Sequence, residues 1–365
     1  MPAGRSAKFP PFQIENRCDQ NQHEMIQACI RKKSFATGPA IGLARFSLGL
    51  LALLAGAACP ARGANDIAQV EQVRFAFSAR MFTDVNENDA KASVKAWALA
   101  LGRERHVPVS AEPIILSGTT ELKQALRTAT IDGAAVTTEE YLSLEPELQS
   151  TNLFMSATAG QFTEKYLLLV RSDSGLTNLP ALHGRKVVMF DNVRASLAPV
   201  WLDVMVSAAG LGTAAEHFNQ INMAQKLSQV VLPVFFRQQD ACVVTRGGFE
   251  MMCEMNPQVR SQLRVLATSP ALVPSVGFLR RGFDSPLRSQ MLAALEGLEK
   301  STSGTQVLTL FQVEQFHEAP ATLLDTARDL IQAHRQLQRA GSNETSRAEE
   351  PRLQPDHRDP HFSKQ

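Results

Sequence analysis

Short apolar runs alternate along this chain with longer stretches whose apolar positions recur at helical spacing. Runs that short read as buried strands, and the i, i+3, i+4 repeat reads as an amphipathic helix. The pattern predicts strands at Val73–Phe77, Ile131–Val136, Leu153–Ala157, Lys165–Arg171 (KYLLLVR), Val187–Phe190, Asp240–Thr245, Leu263–Ala267 and Ser275–Leu279. Val107–Leu116 is a further extended run, interrupted by Pro108 and Pro113. Helices are predicted over Asp89–Arg103, Thr119–Ala129, Thr138–Leu144, Leu197–Ala209, Ala224–Phe236, Gly248–Met255, Leu287–Lys300, Thr305–Phe311 and Ala321–Arg339. Gly210–Gly212 supplies a C-cap signal, and Ser285 followed by Pro286 a helix start. Strands alternating with helices predict an α/β fold with largely parallel sheets.

One unit recurs. LRTATIDGAAVT (residues 126–137) is similar to PVFFRQQDACVVT (233–245): a helix runs into Asp, then a small-residue strand, then Thr. Two such units predict two similar lobes with a cleft between their strand ends. Asp132 and Asp240 read as braces of the strand starts. Lys186–Leu202 (KVVMFDNVRASLAPVWL) adds a strand, a polar turn and a helix start. Such a turn aims backbone N–H groups and a positive helix end above the strand, which suits an anion. Arg194 offers a guanidinium there and Ser196 a hydroxyl; a plain N-cap is the other reading of Ser196.

Composition narrows the function classes. The 365 residues are 44% hydrophobic and 20% charged with a net charge of +1, so nucleic acid is not an expected partner. Two Trp and two Tyr argue against a sugar cleft of stacked Trp. Arg31, Lys32, Lys33 and Arg45 precede the apolar run Phe46–Ala58, which is shorter than the ~20 residues of a bilayer span. Small residues follow, so this reads as a secretory signal peptide cleaved between Ala58 and Ala64. Met25 is an alternative start. Cys59 raises lipid anchoring, but Gly56 stands where a lipobox wants Leu. Export leaves Cys242 and Cys253, either paired or as two buried thiols.

The order of segments resembles the periplasmic substrate-binding proteins of phosphate/phosphonate/phosphite ABC transporters. LKQALRTATIDGAAVTTEEY, YLLLVRSDSGLTNLPALHGRKVVMFD, FFRQQDACVVT and LRVLATSPALVPSVGFLRR carry the resemblance, over roughly Val73–Phe316. It implies a two-lobed type II periplasmic-binding-protein-like fold with the ligand cleft between the lobes. The chain then crosses twice, near Gln161–Lys165 and Pro270–Val276. The expected organisation is an N-terminal extension and signal peptide over 1–64, lobe I over 65–163 plus 277–340, lobe II over 164–276, and a disordered polar tail over 341–365. The family's anion loop runs Asp-Pro-x-Ser-x-Ser-Gly. Asp191 and Ser196 keep it, whereas Arg194 replaces the first Ser and Leu197 the Gly. Gly lets backbone approach an anion closely, and Leu does not. Arg194 either compensates with a bidentate grip or faces solvent.

The expected ligand-binding residues are Ser78, Arg80, Thr137, Thr138 and Tyr141 on one wall, and Arg194 and Ser196 on the other, with the Thr245–Arg246 turn nearby. Each hydroxyl also fits a cap or turn bond. No nucleophile elbow, zinc spacing or phosphate-binding Gly loop is present, His183 and His217 are isolated, and Cys242 lies in an apolar strand. The expectation is therefore a monomeric periplasmic binding protein, not an enzyme, with no cofactor and no metal. Its partners are a small anionic ligand and either an ABC-transporter permease or a membrane sensor protein.

Overall fold

The computed structural model describes residues 72–348, except 84, 149–151, 159 and 284–285. The signal peptide, Cys59, the Ser285 cap and residues 349–365 lie outside the described residues. In chain order the elements are β1 (Phe75–Ser78), α1 (Glu87–Arg105), β2 (Ile114–Leu116), α2 (Thr119–Arg127), β3 (Gly133–Thr137), α3 (Thr138–Leu148), β4 (Asn152–Ala157), β5 (Tyr166–Arg171), β6 (Lys186–Phe190), α4 (Ala198–Ala208), α5 (Ala214–His217) and β7 (Gln220–Ala224). Then follow α6 (Leu227–Phe235), β8 (Ala241–Thr245), α7 (Arg246–Met255), α8 (Pro257–Gln262), β9 (Leu263–Thr268), β10 (Ser275–Leu279), α9 (Pro286–Leu295), α10 (Thr302–Leu310), β11 (Gln315–Pro320) and α11 (Asp325–Ala348).

The strands form two sheets, ordered β11-β4-β10-β3-β1-β2 and β7-β6-β8-β5-β9. The chain leaves the first sheet after β4 and returns at β10, so it crosses twice. The sheets are mixed rather than largely parallel. β1 runs parallel to β2 and β3, and β6 to β7 and β8, but β5 and β10 enter antiparallel to their neighbours. The reversal is where the crossings deliver their strands. β5 is apolar throughout (YLLLV) because both its faces are covered, and only Arg171 at its end is less than fully buried.

Three apolar clusters hold the layers. One lies between the first sheet and α1, α9 and α10, with Trp97 against Phe75 and Phe77. Another covers the back of the second sheet with α6 and α7, and encloses Cys242 and Cys253 as free buried thiols. The largest joins both lobes, from Tyr141 and Phe278 to Tyr166 and Trp201. Ala327, Leu330 and Ile331 of α11, with Leu324 just before it, belong to it, so the last helix packs on α4 as well as on α3. That helix continues past Gly341, where a disordered tail was expected, to Ala348.

The repeated Asp unit has a physical explanation. Asp132 accepts the backbone N–H of Arg74 at 3.0 Å, just before β1, and Asp240 accepts that of Lys186 at 2.9 Å, at the start of β6. In each lobe the Asp ahead of one strand satisfies a donor at the start of its parallel neighbour. Asp132 is buried and also takes the guanidiniums of Arg74 at 2.9 Å and Arg280 at 3.3 Å. Burial pushes its carboxyl up, but the Arg74 and Arg280 bonds outweigh this and hold it below its ordinary value. A depressed folded pKa stabilises the fold above the unfolded value of about 4, and that contribution fades as pH falls through the folded value. We predict that Asp132→Ala costs about 2–3 kcal/mol in urea unfolding at pH 7, below the range for a fully buried pair because Arg74 is partly exposed. The difference from the parent should shrink below about pH 4; a difference constant with pH would contradict the pairing.

Candidate functional site

The expected wall of lobe I is built from the end of β1 and the β3–α3 junction. Ser78 closes β1, and its Oγ accepts the Arg80 N–H at 3.2 Å, capping the tight turn Ala79–Phe82. That hydroxyl donates to Glu140 Oε1 at 2.7 Å. Glu140 Oε2 accepts both the backbone N–H and the Oγ1 of Thr137 at 3.0 Å. Glu140 is buried, so a carboxylate of the chain itself takes the donors expected for a ligand. Arg80 turns to Glu139, 3.0 Å away, with its side chain half exposed. Tyr141 is fully buried against Phe278 at 5.5 Å between ring centroids, and its hydroxyl has no hydrogen-bond partner. Burial, then the Glu145 carboxylate, pushes that hydroxyl up to about 12, so it stays neutral.

Thr138 and Ser196 approach from opposite lobes and grip the second crossing. Thr138 donates its N–H to the Pro274 carbonyl at 3.0 Å and its Oγ1 to the Val273 carbonyl at 2.7 Å. Ser196 Oγ donates to the Pro274 carbonyl at 2.9 Å. The two crossings also pair with each other, Glu164 and Leu272 exchanging backbone bonds at 2.8 and 2.9 Å. These hydroxyls brace the joint between lobes.

The turn at Val193–Ala195 is capped by Asn192, whose Oδ1 accepts the Arg194 N–H at 3.0 Å. The N–H groups of Ala195 and Ser196 go to the carbonyls of Asn192 and Val193. Leu197 is fully buried in the central cluster, which explains an apolar residue at that point of the loop. Arg194 donates through Nε to Glu164 Oε1 at 3.0 Å, and through Nη2 to the same oxygen. Across the cleft the Gln225 amide donates to the Thr83 carbonyl.

Above these joints lies a cavity of about 120 Å³. Its walls are Phe77 of β1, Trp97 of α1, Phe154 of β4, Phe316 of β11, the crossing residues Gln161–Glu164 and Pro274–Gly277, and the turn Asn192–Arg194. Of the seven sequence-predicted site residues only Arg194 lines it. The rings were missed, although period-two alternation already places Phe75 and Phe77 on one face of β1. Among the described residues no His, Cys, Asp and Glu cluster is arranged to hold a metal ion, and no helix is long and apolar enough to cross a membrane.

Two lobes joined by two crossings, with a cavity walled by both crossings, define a hinged ligand-binding module. The sequence profile of the ABC transporter, phosphonate, periplasmic substrate-binding protein family matches residues 80–323. The chain belongs to that family of solute-binding proteins. Among solved structures it is similar to XAC2383 from Xanthomonas citri bound to chloride ion, with 17% identity over 74% of this chain and 99% of that one and a TM-score of 0.53. It is also similar to PhnD1 from Prochlorococcus marinus in complex with methylphosphonate, with 14% identity over 71% and 96% of the two chains and a TM-score of 0.50. No curated protein matches the sequence.

Two predictions separate these roles. Glu140→Ala leaves three buried donors without an acceptor and should cost about 1–3 kcal/mol in chemical unfolding; an unchanged midpoint would mean the carboxylate is not their partner. Tyr141→Phe removes a buried hydroxyl that has no partner, so stability should hold or rise and ligand affinity should not change. A loss of affinity would return Tyr141 to the binding wall.

Proposed function

We propose that this chain is an exported, monomeric binding protein that closes on a small organic anion and delivers it to the permease of an ABC transporter. It carries its ligand and does not transform it. In this reading lobe I is 65–163 with 277–340, lobe II is 164–276, and α11 lies against both.

The observation that carries the reading is the position of Arg194. It is the one cation lining the cavity among the described residues, and it sits on a turn of lobe II facing a pocket otherwise built mainly from lobe I and the crossings. A hinge motion would change the distance between the guanidinium and the opposite wall, so charge recognition and closure become one event. Arg80, Ser78, Thr137, Thr138, Tyr141 and Ser196 support that seat from behind rather than touching the ligand.

A thermal-shift screen against phosphonates, sulfonates and small carboxylates identifies the ligand, because binding to the folded state raises its stability by mass action. Titration calorimetry on the best ligand should then show Arg194→Ala weakening binding at least tenfold, about 1.4 kcal/mol, with the fold intact. Undiminished binding by Arg194→Ala, or a best ligand that is neutral or cationic, would overturn the anion reading.

A further inference from the structure

We infer that the cavity selects an acid carrying a ring-sized apolar body, and that its acid group replaces Glu164 on Arg194. This rests on the binding-protein reading above and deepens it. Three observations lead here. The cavity volume of about 120 Å³ is close to that of an engineered apolar cavity, ~150 Å³, that takes benzene. Around it Phe82, Phe162, Phe311 and Phe316 are only partly buried, whereas Phe77 and Trp97 behind them are buried. Their accessible ring surface suits the offset-stacked or edge-on contacts that aromatic bodies prefer. Arg194 and Glu164 are the only charged residues on the wall among the described residues.

A bare inorganic oxyanion fits this lining poorly. Its oxygens need many donors in place of water, and the cavity wall is mostly apolar. An acid with an apolar body needs donors at one end only. Arg194 presents five N–H donors, of which Glu164 engages Nε and Nη2 on one edge. Binding a second anion beside that pair would leave one negative charge uncompensated in an apolar site, so the ligand acid exchanges with Glu164 instead. The exchange requires the Glu164 side chain to rotate and carry its displaced carboxylate out of the apolar pocket to water, while its backbone stays held at both its N–H and its carbonyl by Leu272. Glu164 is then an internal competitor that lowers affinity for every acid.

Calorimetry with phenylphosphonate, methylphosphonate and benzyl alcohol on the full mature chain tests this, using the parent, Glu164→Gln and Arg194→Ala, with thermal unfolding to show that each variant is folded. Phenylphosphonate should bind at least tenfold more tightly than methylphosphonate. Glu164→Gln should tighten phenylphosphonate several-fold and leave benzyl alcohol unchanged, and Arg194→Ala should lose the preference for the acid over the alcohol. Equal binding of the two phosphonates would overturn the ring-sized body while leaving the anion receptor standing. Unchanged or weaker phenylphosphonate binding by Glu164→Gln would overturn the exchange. Binding of benzyl alcohol with neither phosphonate bound would overturn both this inference and the anion receptor.

Discussion

The two lobes are tied together on one short stretch of backbone. The carbonyls of Val273 and Pro274 receive hydrogen bonds from Thr138 in lobe I and from Ser196 in lobe II, while the adjacent Leu272 pairs with Glu164 of the other crossing. Loops this close to a core carry polar backbone that must find partners, and here partners from both lobes converge on the same residues. The consequence is positional. The turn bearing Arg194 follows Asn192 and leads directly into Ser196, so the hydroxyl that grips the second crossing also fixes how far the guanidinium stands from the first. Glu164 completes the circuit, since its backbone belongs to the joint and its carboxylate to Arg194.

The same economy of partners governs charge. A buried carboxylate is tolerated only when donors surround it, and Glu140 has three of them. The guanidiniums of Arg80 and Arg194 meet Glu139 and Glu164. The chain therefore satisfies, from its own side chains, most of the donors that line the joint, and what remains open to a ligand is a pocket of rings with one ion pair on its wall. In such a pocket apolar walls bury a ligand's body, and the few placed polar groups fix its orientation and supply specificity.

Much of the fold was legible in the sequence because its signals are local. The apolar runs of β5, β6 and β8 lie inside a sheet, and the duplicated Asp marked the starts of β3 and β8. β7 and β11 were missed: each lies at a sheet edge and pairs on one side only; QINMA alternates over just four positions with no residue buried, and QFHEAP does not alternate. The helix predicted from Ala224 absorbed the end of β7 for the same reason. The site was less legible than the fold. Ser78, Thr137, Thr138 and Ser196 were placed at the right strand ends and helix starts, but the partners of Thr138 and Ser196, the carbonyls of Val273 and Pro274, lie far along the chain, whereas Ser78 and Thr137 meet Glu140, only three residues after Thr137. The pocket rings come from β1, the turn after it, α1, β4, the first crossing, the end of α10 and β11, and only the tertiary fold gathers them.

The central claim is that ligand enters the ring-lined cavity beside Arg194. The chain contains two Trp, and only Trp97 lines that cavity, while Trp201 is buried in the cluster joining the lobes. Protein labelled with 5-fluorotryptophan therefore offers one fluorine resonance at the site and one away from it, assigned with a single Trp97→Phe variant. Saturation with the best acid from the screen should move the Trp97 resonance in proportion to calorimetric occupancy. A Trp97 resonance that stays in place at full occupancy would put the ligand elsewhere and contradict the account.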